Sequence, residues 1–119
     1  MYKFNYIKVG TIEEASSALS NNPEAKILAG GMTLIPTMKQ RLASPEQLID
    51  IRQVNELKFI KSDSNNVIIG SVSNHYDVSS SDIVRENLPS LSKLAEGIGD
   101  PHVRNMGTIG GSITNNDPT

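Results

Sequence analysis

The sequence predicts an α+β fold whose N-terminal part is α/β-like, and three observations predict it. Short apolar or β-branched runs alternate with helix-type segments from Phe4 to Ile51, at the spacing of small βαβ units with parallel pairing. Two further such runs flank a cluster of turn residues, as in a hairpin. A helical repeat of apolar residues then follows Pro89, ahead of a glycine-rich segment.

Taken in order, Phe4 to Val9 is aromatic and β-branched and reads as a strand ending at Gly10. Thr11-Ile12-Glu13-Glu14 fits a capping box opening a helix, in which the Thr11 hydroxyl accepts from the backbone and Glu14 reaches back. Ile12, Ala15 and Leu19 share a face of that helix, and Asn21-Asn22-Pro23 stops it. Ala25 to Ala29 is a brief apolar run, a buried strand leading into Gly30-Gly31. Thr33 stands at the N-cap of a helix from Leu34 to about Leu42, with Pro36 in the first turn, where a missing N–H does no harm. Lys39 and Arg41 lie in its last turns, where positive charge suits the dipole and solvent. Leu48 to Ile51 is the third strand.

Leu57 to Lys61 and Val67 to Val72 flank the turn cluster Ser62 to Asn66 and read as the hairpin. Asn74 to Val78 is too mixed to assign. Pro89 opens a helix with Leu91, Leu94, Ala95 and Ile98 at helical spacing and Gly99 in the stop position. Asp100-Pro101 starts a capped single turn, and Asn105 to Ser112 reads as a glycine-rich loop.

With 119 residues the chain has length for one small core. Its net charge of −2, with no basic run, argues against nucleic acid as a partner. There is no cysteine, so thiolate zinc sites and iron–sulfur clusters have no ligands here, and any metal redox centre belongs to another chain. No window approaches the length of a membrane span and no leader pattern opens the sequence, so the default location is the cytoplasm.

The chemistry concentrates at two glycine loops. Glycine exposes main-chain N–H groups that a Cβ would shield. Gly30-Gly31 precedes a helix start, where such groups favour phosphate, and Gly107 to Gly111 is a second source of donors, so that the two together suit a pyrophosphate. Composition alone favours a tight turn at Gly-Gly over a ligand cradle. Neither a G-x-G-x-x-G nor a Walker A pattern is present, which disfavours Rossmann and P-loop folds. His75 and His102, the only histidines, have no partner at metal-ligand spacing and read as surface or packed residues. No serine occupies a nucleophile elbow. Arg104 suits a phosphate contact and a loop brace equally.

Two stretches, AGGMTLIPTMKQRLASPEQLIDI from Ala29 to Ile51 and DPHVRNMGTIGGSITNNDPT from Asp100 to Thr119, resemble the FAD-binding medium subunit of the molybdenum hydroxylases, the family of aerobic carbon monoxide dehydrogenase and xanthine dehydrogenase. The resemblance spans essentially the whole chain. It implies a PCMH-type FAD-binding domain: residues 1–52 form an N-terminal subdomain with a small parallel sheet and flanking helices, and residues 53–119 begin a second subdomain. It also implies that Ala29, Gly30, Gly31, Met32 and Thr33, with Thr108, Ile109, Gly110, Gly111 and Ser112, hold FAD around its pyrophosphate. No side chain is then needed as a catalytic acid or base, and no residue as a metal ligand, because the cofactor carries the redox chemistry. The implied partners are a large subunit with molybdopterin and a small subunit with 2Fe–2S clusters, which relay electrons through FAD to a quinone, NAD or oxygen.

The sequence departs from that pattern twice. Family members often carry a polar residue where Met32 stands. The family's medium subunit is also roughly twice as long or more, so the chain reads as truncated, and a docking module that keeps the fold but not the flavin is the alternative expectation.

Overall fold

The computed structural model describes residues 3–115; Asn116 to Thr119, the end of the second quoted stretch, lie outside them. The chain divides into two compact units, Met1–Glu56 and Leu57–Thr119.

In the first unit, β1 (Asn5–Lys8), β2 (Ala25–Leu28) and β3 (Gln47–Asp50) form an all-parallel sheet in the order β1-β3-β2. The register sets Ile7 and Ile27 on either side of Ile49, and Lys8 and Leu28 on either side of Asp50. Successive residues face opposite sides of a strand. Leu28 and Leu48 therefore turn to one face, where they meet Met38 in a buried cluster completed by Phe4, Leu34, Ile35 and Ala43. The sheet's other side contacts α1 (Ile12–Asn21), which follows β1.

Thr11 caps α1 as expected, its Oγ1 accepting from Glu14 N–H at 3.1 Å. The reciprocal half differs, because the Glu14 carboxylate accepts from Gly10 N–H at 3.4 Å. The helix has no buried residue, and the expected face is only half covered, with Ile12 and Leu19 still exposed.

The second helix, α2 (Leu34–Lys39), stops three residues before the expected Leu42. Arg41 adopts a positive φ of 59°. Leu42 N–H donates to Thr37 O and Arg41 N–H to Met38 O, both at 3.0 Å. This is a Schellman closure, usually built on glycine, with an arginine in the left-handed position. Thr33 occupies the N-cap position, but its hydroxyl makes no capping bond.

The second unit opens with the expected hairpin, β4 (Ile60–Ser62) and β5 (Val67–Ile69), paired antiparallel. Its turn is closed by Asp63, whose carboxylate accepts from the N–H of Asn65 and Asn66 at 3.0 and 2.9 Å. Four of the five helices that follow are short. They are α3 (His75–Ser80), α4 (Asp82–Asn87), α5 (Pro89–Glu96), α6 (Pro101–Met106) and α7 (Ile109–Thr114).

Asn74 and Asp77 form a full capping box for α3, and Ser81 caps α4. Pro89 stands in the first turn of α5 as expected, although Gly97 rather than Gly99 is the C-cap. The core gathers Val78, Val84 and Ala95 from three helices against Ile60, Val67, Ile69, Leu91 and Ile109. Among the described residues no helix is long and apolar enough to cross a membrane.

Candidate functional site

The first glycine loop leaves the C-terminal end of β2 and climbs into α2. Gly31 has a φ of 76°, in the left-handed region that disfavours any side chain. A Cβ there would also stand 3.0 Å from Ile35 Cγ1 and 3.2 Å from Leu28 Cδ1. The turn therefore requires glycine for its own geometry.

That geometry has a chemical result. Among the described residues no acceptor meets the backbone N–H of Gly30, Gly31, Met32, Thr33 or Leu34. Five consecutive donors without acceptors form an arrangement that suits an anion. Ala29, Gly30 and Gly31 are half-buried and Met32 and Thr33 exposed, so the segment is open to a ligand, and no carboxylate occurs in it.

The second segment differs from the expected loop. Residues 101–106 and 109–114 are helical; Gly107 is the C-cap of α6, and Gly110 and Gly111 lie in the first turn of α7. Ile109 N–H donates to Ser73 O and Gly110 N–H to Ser71 O, both at 3.0 Å. Gly111 N–H donates to the Oγ1 of Thr108, the α7 N-cap, at 3.0 Å, and Ser112 N–H to Thr108 O at 3.1 Å. The expectation of bare amides at this segment is therefore corrected. Thr108 alone of these five residues keeps an N–H with no acceptor among the described residues.

Close packing, not ligand access, explains one of its glycines. A Cβ on Gly110 would fall 2.6 Å from the Ser71 carbonyl oxygen. What this segment presents is its side chains. The Ser112 hydroxyl, half-buried, stands 3.2 Å from Nε2 of His75, itself only 5% exposed. Sequence reasoning set His75 aside as a surface or packed residue; the Asn74-x-x-Asp77 cap that fixes it was the available signal.

Other sequence candidates resolve simply. His102 is exposed on α6. Arg104 braces a loop, with Nη1 donating to Gly99 O at 2.8 Å and Ile98 O at 3.4 Å. Lys39 is exposed at the end of α2. Among the described residues no three His, Asp or Glu side chains group to hold a metal ion.

Sequence reasoning also passed over a charged cluster in the first unit. Asp50, 2% exposed, accepts from Arg52 Nη2 at 2.7 Å, from Arg52 Nε at 3.1 Å and from the Tyr6 hydroxyl. Burial pushes the Asp50 carboxyl up, but the hydrogen bonds from Arg52 and Tyr6 outweigh it and hold the group at about 2. The same Asp50 contact raises the Tyr6 phenol above its ordinary value.

The family described as "FAD binding domain in molybdopterin dehydrogenase" matches residues 2–119. The medium chain of glyceraldehyde dehydrogenase from Sulfolobus acidocaldarius is 42% identical over 116 residues, covering 98% of this chain and 41% of that protein. The medium chain of carbon monoxide dehydrogenase from Hydrogenophaga pseudoflava is 44% identical over 117 residues, again 98% and 41%. A solved structure of carbon monoxide dehydrogenase from Hydrogenophaga pseudoflava superposes with a TM-score of 0.95 over 98% of this chain and 41% of its own, at 44% identity. The chain thus spans about two fifths of the length of the relatives it matches.

Proposed function

The chain belongs to the family of FAD binding domains in molybdopterin dehydrogenase, and from that premise we propose that it is the FAD-binding part of a molybdenum hydroxylase that passes electrons from iron–sulfur clusters through FAD to an external acceptor. The observation that carries this reading is the run of five N–H groups from Gly30 to Leu34, around the left-handed Gly31, that meet no acceptor among the described residues. A pyrophosphate brings oxygens that satisfy such donors, and backbone amides hold it without any side-chain charge. Ala29 and Gly30 to Thr33 hold the diphosphate through main chain. Met32 adds no side-chain donor, so the backbone carries this contact.

Thr108 and Ser112 contribute hydroxyls, and Thr108 an N–H that meets no acceptor among the described residues, while Ile109, Gly110 and Gly111 shape the turn that presents them. FAD, when bound, supplies the redox chemistry, taking up electrons and handing them on. The chain's own work is to bind and orient it. The partners in this reading are a molybdopterin-binding large subunit and an iron–sulfur small subunit.

The occupied amides of Ile109 to Ser112 favour a second reading, a docking module that joins such a complex and retains no flavin. One preparation separates the two. The chain is isolated from its own cells with whatever polypeptides accompany it, and released flavin is identified by chromatography. About one FAD per chain supports the first reading. Molybdenum and iron–sulfur partners without flavin support the second, and neither flavin nor such partners refutes both.

A further inference from the structure

We propose that His75 is a positioning residue of the flavin site, acting through Ser112: its Nε2–H donates to Ser112 Oγ and so leaves the single Ser112 O–H proton for an anionic oxygen of the cofactor. The inference rests on the FAD reading above. It begins from the 3.2 Å separation between Ser112 Oγ and His75 Nε2 inside the second unit.

The imidazole is held from several sides. It is 5% exposed. A Cβ on Gly107 would stand 3.0 Å from its Cδ2 and 3.2 Å from its Nε2, so the ring fills the space that glycine leaves. The backbone is tied to the same segment, with His75 N–H donating to Gly107 O at 3.0 Å. Next to it, Asn74 Nδ2 donates to Asn105 O at 3.0 Å while Asn74 and Asp77 cap the start of α3. An imidazole so placed has little freedom to turn away from Ser112.

The direction of the bond follows from the guest. A serine hydroxyl has one proton and two lone pairs. If that proton went to Nε2, only lone pairs would remain for a phosphate oxygen, which repels them. With Nε2–H as donor, the serine oxygen accepts from the ring and its proton is free for the anion. A chain of two donors also polarises in the useful sense, each bond strengthening the next. A purely packed histidine would not require this tautomer.

The test compares FAD dissociation constants, by flavin fluorescence, for the wild-type chain in its native assembly and for H75F, H75Q, S112A and the H75F/S112A pair. H75F and S112A are each expected to weaken binding about tenfold, as for loss of one hydrogen bond to a charged group. The double variant is expected to bind no worse than S112A alone, because His75 acts only through that hydroxyl. H75Q, whose amide reaches the same position, is expected to stay within about threefold of wild type. Should H75F fail to fold, H75N replaces it, since its amide ends short of Ser112.

Wild-type-like binding by H75F or H75N overturns the inference. So does a further tenfold loss when His75 is replaced in the S112A background, which would mark a packing role. A wild-type chain without FAD overturns the FAD reading itself, and this inference with it.

Discussion

Removing the Arg52 guanidinium would leave the Asp50 carboxylate buried without its cation. Asp50 is 2% exposed, while the Arg52 side chain is 41% exposed, so the pair is half anchored in the interior. The carboxyl lies at about 2 in the folded chain against an ordinary 3.8. That difference corresponds to about 2 kcal/mol of folding stability at neutral pH. Because the folded value is depressed, the contribution is complete above the ordinary value, falls to roughly half near pH 3, and is lost as the pH drops through about 2.

R52A forfeits this contribution and keeps the burial that pushes Asp50 up. We expect a loss of about 2–3 kcal/mol at pH 7, below the value for fully buried pairs because Arg52 is partly solvated. In R52A the folded Asp50 value rises, so acidification from pH 7 to 4 narrows the gap to wild type. The decisive variant is D50N/R52A, which removes the stranded charge and is expected to regain about 1 kcal/mol over R52A. Urea denaturation at both pH values measures all of these. A double variant less stable than R52A, or R52A within about 0.5 kcal/mol of wild type, would refute the reasoning.

Three further outcomes follow from the backbone and core. G31A is expected to lose about 1–2 kcal/mol in thermal denaturation, from the left-handed φ of 76° and the 3.0 Å contact with Ile35; an unchanged midpoint would mean the turn relaxes freely. G110A, with its Cβ directed 2.6 Å from Ser71 O, is expected to lose about 2 kcal/mol. By contrast G97A, where the nearest atom is 3.6 Å away, should stay within about 0.5 kcal/mol, and equal losses in the two would contradict the packing assigned to α7. M38A, truncating a side chain 1% exposed between Leu28 and Leu48, is expected to lose about 3 kcal/mol by chemical denaturation; a loss under 1 kcal/mol would show a core that collapses around the cavity.

Much of the fold was legible because its signals are local. The three strands of the first unit, the Thr11 cap, the Asp63 turn and Pro89 at the start of α5 each depend on neighbours a few residues away. The end of α2 was not legible, since Arg41 in a left-handed position carries none of the glycine signal of a Schellman closure. Helices α3 and α4 escaped notice because each buries a single aliphatic side chain, Val78 and Val84, too few for a periodic pattern. At the candidate site, Gly31 takes a left-handed φ, and the N–H groups of Gly30 and Gly31 meet no acceptor among the described residues. The second glycine segment was read as open, yet its amides found Ser71 O, Ser73 O and the Thr108 side chain.

By itself, then, the sequence determined the three strands of the first unit and the starts of α1, α5 and α6, that no cysteine-bound metal belongs to this chain, and, through two glycine stretches, the family resemblance. Only the tertiary structure decided the sheet order β1-β3-β2, the burial of Asp50 against Arg52, and which amides are spoken for. The physical reason is that the strand order, the Tyr6 contact that helps bury Asp50, and the bonds of Ile109 and Gly110 to Ser73 and Ser71 join residues far apart in the sequence. Glycine fixes what the backbone is free to do locally, and the fold determines whether protein or ligand answers it.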